Sequence, residues 1–301
     1  MEKCEAIEGI KTYFVVPDLS VMPEDFLPHF FLKGFEAYYL LDDQYLDIPE
    51  KIRILLSIFP ELILFFNTDR RLGDLDWESY IRGLQRECGA RARIGVLYGK
   101  HVGPELRRAL ERTYLYDIGI NCGCIPIQYR KSDNLSLLLG VLTANQANGR
   151  RKFLRAICGE TCELNFLRDR VKIEGRILDV SVSHFSCEFY GPDPGIKMYE
   201  KATDIQLKLA GTICTVDAVL FTKRVVGKTV VNVFVFRDSR GRDGLDPDML
   251  AKVNAFIRER FERGVKSLVQ KGFDEEIARK REEKAAARRN AKASTPASSR
   301  R

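Results

Sequence analysis

The chain has 301 residues, 45% of them hydrophobic and 30% charged, with 49 Lys+Arg against 42 Asp+Glu and a formal charge of +7. That length holds one large domain or two, and the composition excludes a disordered chain, a collagen-like repeat and a disulfide-dense mini-protein. The basic surplus speaks for an anionic partner only where it is gathered on a face. From Asp274 onward nine Lys/Arg stand against five Asp/Glu, more than half of the surplus, so most of it belongs to a tail expected to be mobile.

The N-terminus shows no apolar run of signal-peptide length before its first strand-like segment. The most apolar stretch, 52–66, is broken by Arg53, Pro60 and Glu61. A membrane span needs about 20 apolar residues, so this stretch reads as a helix followed by a buried strand. The eight cysteines form no CxxC pair, and with three histidines they make no zinc set of familiar spacing. All eight read as reduced structural thiols, and the protein as cytoplasmic.

Strand-like runs stand at 12–16 (TYFVV), 37–41 (AYYLL), 62–66 (LILFF), 94–98 (IGVLY) and 117–121 (DIGIN). Helical patterns lie between several of them, at 49–57, 76–88 and 104–113, and another covers 134–145. Short apolar strands alternating with helices predict a parallel α/β sheet for residues 1–145. From about residue 150 the period becomes two. Val171, Ile173, Gly175 and Ile177 alternate with Lys172, Glu174 and Arg176, and further strands are predicted at 187–190, 205–209, 213–221 and 229–236. Strands this dense, punctuated by turn residues at 191–195 and 226–228, predict a small antiparallel barrel over 146–245. Asp246-Pro247 then starts a helix. Leu250, Val253, Ile257, Phe261, Val265 and Leu268 recur along it, an apolar seam for the barrel or for a partner. With the tail, this helix makes the third segment, 246–301.

Two short motifs stand out in the barrel segment. Arg151-Lys-Phe-Leu-Arg155 follows Arg150 and the linker-like 145–149, in a loop entering the first barrel strand. Arg82/Arg86 and Arg108/Arg112 have the same spacing but fall in helices, where they are a solvated face. Downstream, Asp179-Val-Ser181-Val-Ser183-His184 ends one strand and opens a turn. Residues two apart on a strand face the same side. Asp179 can accept from the N–H groups of a purine and Ser181 can donate to a phosphate oxygen. Arginines grip phosphate or guanine O6/N7 in bidentate fashion and stack on bases.

These residues, in this order on a small barrel, resemble the PilZ family of cyclic di-GMP receptors, whose pattern is R-x3-R and then [D/N]-x-S-x2-G. Arg151 and Arg155 match the first part; Asp179 and Ser181 match most of the second, 24 residues after Arg155. The resemblance covers about residues 146–272. It implies a cyclic di-GMP site made of Arg150, Arg151, Arg155, Asp179, Ser181 and His184. One departure matters: His184 stands at the family's glycine. Three outcomes are open there: a left-handed turn under strain, a side chain that crowds the guanine, or a ring that stacks on it.

The N-terminal half is similar in architecture to a flavodoxin-like receiver domain, without the receiver's carboxylate cluster. Asp18 stands alone after the first strand, Asn67 and Asp69 follow the third, and no lysine follows the fifth. No phosphate-binding glycine motif follows any strand. This half is expected to be an interaction domain.

The whole reads as a non-catalytic second-messenger receptor with cyclic di-GMP as ligand, no cofactor and no metal. Its output would pass to a protein partner, in motility, adhesion or envelope physiology, through the N-terminal domain or the C-terminal helix. A barrel that has lost the messenger and serves as a protein-interaction module is the alternative. Nucleic-acid binding needs aromatics interleaved with cations on one face. Phe185, Phe189, Tyr190, Phe221, Phe234 and Phe236 fall mostly at core-like positions instead. No nucleophile–base pair supports an enzyme.

Overall fold

The computed structural model describes residues 9–99, 102–149, 151–227 and 229–293. The apolar runs of the first half form one sheet from Lys11–Val15 (β1), Ala37–Leu40 (β2), Leu62–Asn67 (β3), Ala92–Gly99 (β4) and Cys124–Ile127 (β5). Their order is β2-β1-β3-β4-β5, with parallel register from β3 through β5. Every residue of β1 and β3 is buried, as a parallel sheet covered on both faces requires. Helices Ile48–Ile58 (α2), Trp77–Cys88 (α3) and Pro104–Glu111 (α4) connect the later strands, after an earlier helix, Phe26–Leu32 (α1). The start of α2 follows from its sequence. Asp47 accepts from the Glu50 N–H at 2.8 Å, the Glu50 carboxylate returns to the Asp47 N–H, and Pro49 needs no donor there.

Two elements differ from the sequence reading. The alternation at 117–121 is not a strand: α4 runs into a π-helix over Arg112–Ile118 that ends on Gly119 at φ 78°. The N–H groups of Gly119 and Ile120 both reach the carbonyl of the buried Tyr114, and the fifth strand begins only at Cys124. The helix α1 gave no periodic signal, because its seven residues include Pro28, tolerated in a first turn where no intrahelical N–H is needed.

The second half is an antiparallel barrel of Arg155–Ile157 (β6), Cys162–Arg168 (β7), Val171–Ser181 (β8), His184–Phe189 (β9), Lys201–Leu209 (β10), Thr212–Val226 (β11) and Thr229–Arg237 (β12). Six strands close in the order β8-β7-β10-β11-β12-β9, with β9 returning to β8 and β6 lying on the C-terminal end of β8. Closure depends on Gly175. It faces Leu164 of β7 and Phe189 of β9, and a Cβ there would meet the Glu188 carbonyl oxygen at 2.4 Å. Inside, the cross-strand neighbours Phe185 and Phe234 stack at 5.2 Å. Phe221 and Tyr190 are more than half exposed.

Helix Lys131–Ala144 (α5) precedes the barrel and Pro247–Ala293 (α6) follows it. Val253, Phe256, Ile257 and Phe261 of α6 join the barrel core, so this part of the apolar seam is covered by the chain's own barrel. No helix among the described residues is long and apolar enough to cross a membrane. The chain forms two compact units that do not follow chain order. One gathers residues 9–12, 18–38 and 128–262; the other holds 13–17, 39–127 and 263–293. Within the first, Phe31 of α1 is part of the barrel core and meets Phe261 edge-on at 6.1 Å.

Candidate functional site

The site begins with a change of parity in β8. Gly175 and Ile177 are buried, and strict alternation would send Asp179 and Ser181 inward after them. The β8–β9 ladder instead slips by one residue between Ile177 and Asp179, around Leu178. Such a bulge re-aims the side chains beyond it. Val180 and Val182 therefore enter the core, while Asp179 and Ser181 take the opposite face. Across the ladder, β6 pairs Arg155 with Ser181 and Ile157 with Asp179. Leu154 and Ala156 of that segment enter the core, so Arg155 and Ile157 share the face of Asp179 and Ser181.

Arg155 Nε approaches Asp179 Oδ1 at 3.5 Å, as an ion pair without hydrogen-bond geometry; both atoms are buried and lack a hydrogen-bond partner. The Nη2 of Arg155 lies 2.5 Å from His184 Nε2. A guanidinium can only donate. His184 Nε2 therefore accepts, and the ring is neutral with its proton on Nδ1. That nitrogen lies 2.9 Å from the hydroxyls of both Ser181 and Ser183. Burial first, and then the charges of Arg155 and Arg151, hold the His184 pKa below its ordinary value against the pull of Asp179.

Ser181 is fully buried. Its Oγ accepts the N–H groups of Ser183 and His184 at 3.3 and 3.2 Å and donates to the His184 carbonyl at 3.1 Å. The hydroxyl that the spacing aims at a phosphate holds the turn here. His184 opens β9 outside the left-handed region, so the strained alternative does not arise.

Arg151 is exposed, and its charge reaches His184. Arg150 lies outside the described residues. Segment 145–149 is a hydrogen-bonded turn rather than a free linker: Ala147 is buried, its N–H donates to Leu142 O at 3.0 Å, and its carbonyl accepts from Ile10 N–H at 2.9 Å. The arginine loop is braced again at Gly34, whose φ of 86° would strain any other residue and where a Cβ would come within 2.6 Å of the Lys152 carbonyl oxygen.

The structure thus brings Arg155, Asp179, Ser181 and His184 into direct contact, with Arg151 in electrostatic reach. Sequence reading missed Ser183, although its hydroxyl repeats the two-residue spacing of Ser181. It also missed Ile157, 56% exposed beside Asp179, because a three-residue strand is too short to reveal which way its residues face. The face combines guanidinium donors, a carboxylate acceptor and an apolar side chain, a set suited to a small anionic nucleotide.

No family model matches the chain, and no curated protein matches it. Among solved structures it is similar to the PilZ domain of YcgR from Escherichia coli with c-di-GMP. That likeness has a TM-score of 0.32 and 18% identity and covers 40% of this chain and 98% of that one. The longer YcgR structure in complex with c-di-GMP gives a TM-score of 0.33 at 17% identity, over 41% of this chain and 50% of that one. The MrkH–c-di-GMP complex of K. pneumonia gives 0.35 at 12% identity, over 39% of this chain and 55% of that one. The chain spans about half the length of those two longer structures. The region that resembles PilZ domains is the C-terminal one.

Proposed function

We propose that the outer face of β6 and β8 binds cyclic di-GMP and that the chain is a non-catalytic receptor for it. The observation that carries this reading is the register. A bulge at Leu178 and the pairing of β6 with β8 set Arg155, Asp179 and Ile157 on one face, with buried atoms of Arg155 and Asp179 lacking hydrogen-bond partners. The two atoms oppose each other at 3.5 Å as an ion pair without hydrogen-bond geometry, and a ligand with acceptors for Arg155 and N–H donors for Asp179 supplies the hydrogen bonds that pair leaves unmade. Arg151 and Arg155 would grip phosphate or guanine O6/N7, Asp179 would accept guanine N–H, and Ile157 would pack on the base. Binding would draw the Arg151 side chain onto the ligand and alter the arrangement of the two units. The signal would then pass to a protein partner, provided the arrangements differ in ligand affinity.

One contact favours the second reading. His184 Nε2 already occupies an Arg155 donor at 2.5 Å, as a ligand oxygen would, which suits a barrel that has given up the messenger for protein–protein interaction. Calorimetric titration of the whole chain with cyclic di-GMP separates the two, run beside Arg151→Ala and His184→Gly. The receptor reading expects micromolar or tighter binding, weakened about ten- to a hundredfold in Arg151→Ala by loss of a charge-assisted contact. Binding by His184→Gly alone would instead support the second reading. Silence from all three would remove the messenger from the account.

A further inference from the structure

The histidine of this face lies across the guanidinium that a ligand needs. Arg155 Nη2 donates to His184 Nε2 at 2.5 Å, and the other ring nitrogen meets the hydroxyls of Ser181 and Ser183 at 2.9 Å each. Both ring nitrogens are thus engaged. The contact is also within reach from outside: the side chain of Arg155 is 28% exposed, that of Asp179 is 15% exposed, and His184 is itself half-buried. A small anion can meet Arg155 here without unfolding the barrel.

Among the described residues, the charges acting on the ring come from three segments. Arg155 belongs to β6, Asp179 to β8 and Arg151 to the loop before β6. On the remaining side β12 sets Val235 against His184 and brings no charge. An imidazole accepts at Nε2 only while it is neutral; with a second proton both nitrogens donate. Proton uptake at Nε2 therefore ends the bond to Arg155 and sets two cations side by side. Burial, Arg155 and Arg151 resist that uptake in the ligand-free chain, and Asp179 alone favours it. A phosphate diester reverses the balance, because its oxygens accept from a guanidinium and an imidazolium at once.

We propose that His184 is a proton-dependent gate on the cyclic di-GMP site. Neutral, it competes with the ligand for Arg155; protonated, it releases Arg155 and joins it as a second donor to a ligand phosphate. This inference rests on the reading of the β6–β8 face as a cyclic di-GMP site and adds the regulation of that site. One solvent proton goes to Nε2 for each ring released, and only hydrogen bonds change. Nδ1 carries its proton in both states, so Ser181 and Ser183 keep the ring within reach of the ligand. The complex holds more protons than the free chain, so affinity rises as pH falls between the His184 pKa of the complex and that of the free chain. The glycine of the family pattern has no ring to release or to protonate, which makes the gate a property of this chain's His184.

The test titrates cyclic di-GMP into the full-length protein by calorimetry at pH 8 and at pH 5.5, beside His184→Gln, whose amide oxygen accepts from Arg155 at either pH. Wild type should bind about ten- to a hundredfold more tightly at pH 5.5, the gain expected of one charge-assisted contact. His184→Gln should change by less than about threefold. A second measurement needs no affinity from the variant. Side-chain NMR follows the titration of His184 in wild type, its signal assigned as the one missing from His184→Gln. Saturating cyclic di-GMP should move that midpoint up by about one pH unit or more, the counterpart of a tenfold change in affinity. A midpoint that stays or falls on binding overturns the gate and leaves the receptor reading standing, as does an affinity that rises equally in His184→Gln. No binding by wild type at either pH overturns the receptor reading, and the gate with it.

Discussion

His184 is neutral because of what its neighbours are able to do. Arg155 can only donate to it, Arg151 adds like charge, and only Asp179 favours the imidazolium. Its pKa in the folded chain is depressed, so the unfolded chain takes up that proton first as pH falls. The stability it contributes is present above its ordinary value of 6.5 and is lost as pH drops below it. Glu36, pushed by burial to about 7 despite its bond to Lys11, acts the other way between 4.5 and about 7, so wild-type stability alone is a poor reporter. The difference between wild type and His184→Gln cancels the Glu36 contribution. In urea unfolding, wild type should lose stability relative to His184→Gln between about pH 8 and about pH 5.5. A difference that stays constant between those two conditions would contradict the neutral-ring assignment. The sequence names His184 as a departure from glycine; that its ring bonds Arg155 depends on a strand pairing the sequence does not display.

At the scale of elements, the site takes its face from one bulge. The two-residue spacing puts Asp179 and Ser181 on a common face, but the Leu178 bulge decides which face that is. Deleting Leu178 should make the ladder regular while leaving Asp179 opposite Ser186, with Asp179 and Ser181 on the same outer face and Val180 in the core. The deletion variant, where folded, is expected to keep cyclic di-GMP binding within about tenfold of wild type in calorimetry. A folded deletion variant that binds none would show that the bulge does more than set the face. Gly175 is the second such position. Gly175→Ala places a Cβ 2.4 Å from the Glu188 carbonyl, a backbone atom that has little room to move. Overpacking of this kind costs about 1–3 kcal/mol or more, read as a lower midpoint in thermal denaturation. An unchanged midpoint would mean that β8 and β9 part at this crossing without cost.

At the scale of the molecule, α1 and α6 complete the barrel core from opposite ends of the chain. Phe31 meets Phe261 edge-on, and Asn254 Nδ2 donates to Pro28 O at 3.1 Å. Phe261→Ala removes a buried ring from this seam and should cost about 3–5 kcal/mol, seen in urea unfolding as a lower midpoint at unchanged slope; a cost under about 1 kcal/mol would show that the site collapses around the loss. Local pattern was enough to read the parallel sheet, the antiparallel barrel and the start of α6 directly, since burial on two faces, burial on one face and a capped amphipathic helix each leave a distinct period in the residues. It was also enough to bring Arg151, Arg155, Asp179 and Ser181 forward as a set. It did not reveal the π-helix at 112–118, the anchoring of 145–149, the Arg155–His184 contact, or the entry of Phe31 into the barrel core. Each of these joins residues whose partners lie elsewhere in the chain or bends an element against its own local preference. A sequence records periodicity within a segment, whereas register, bulges and the packing of distant segments are settled only when the whole core closes.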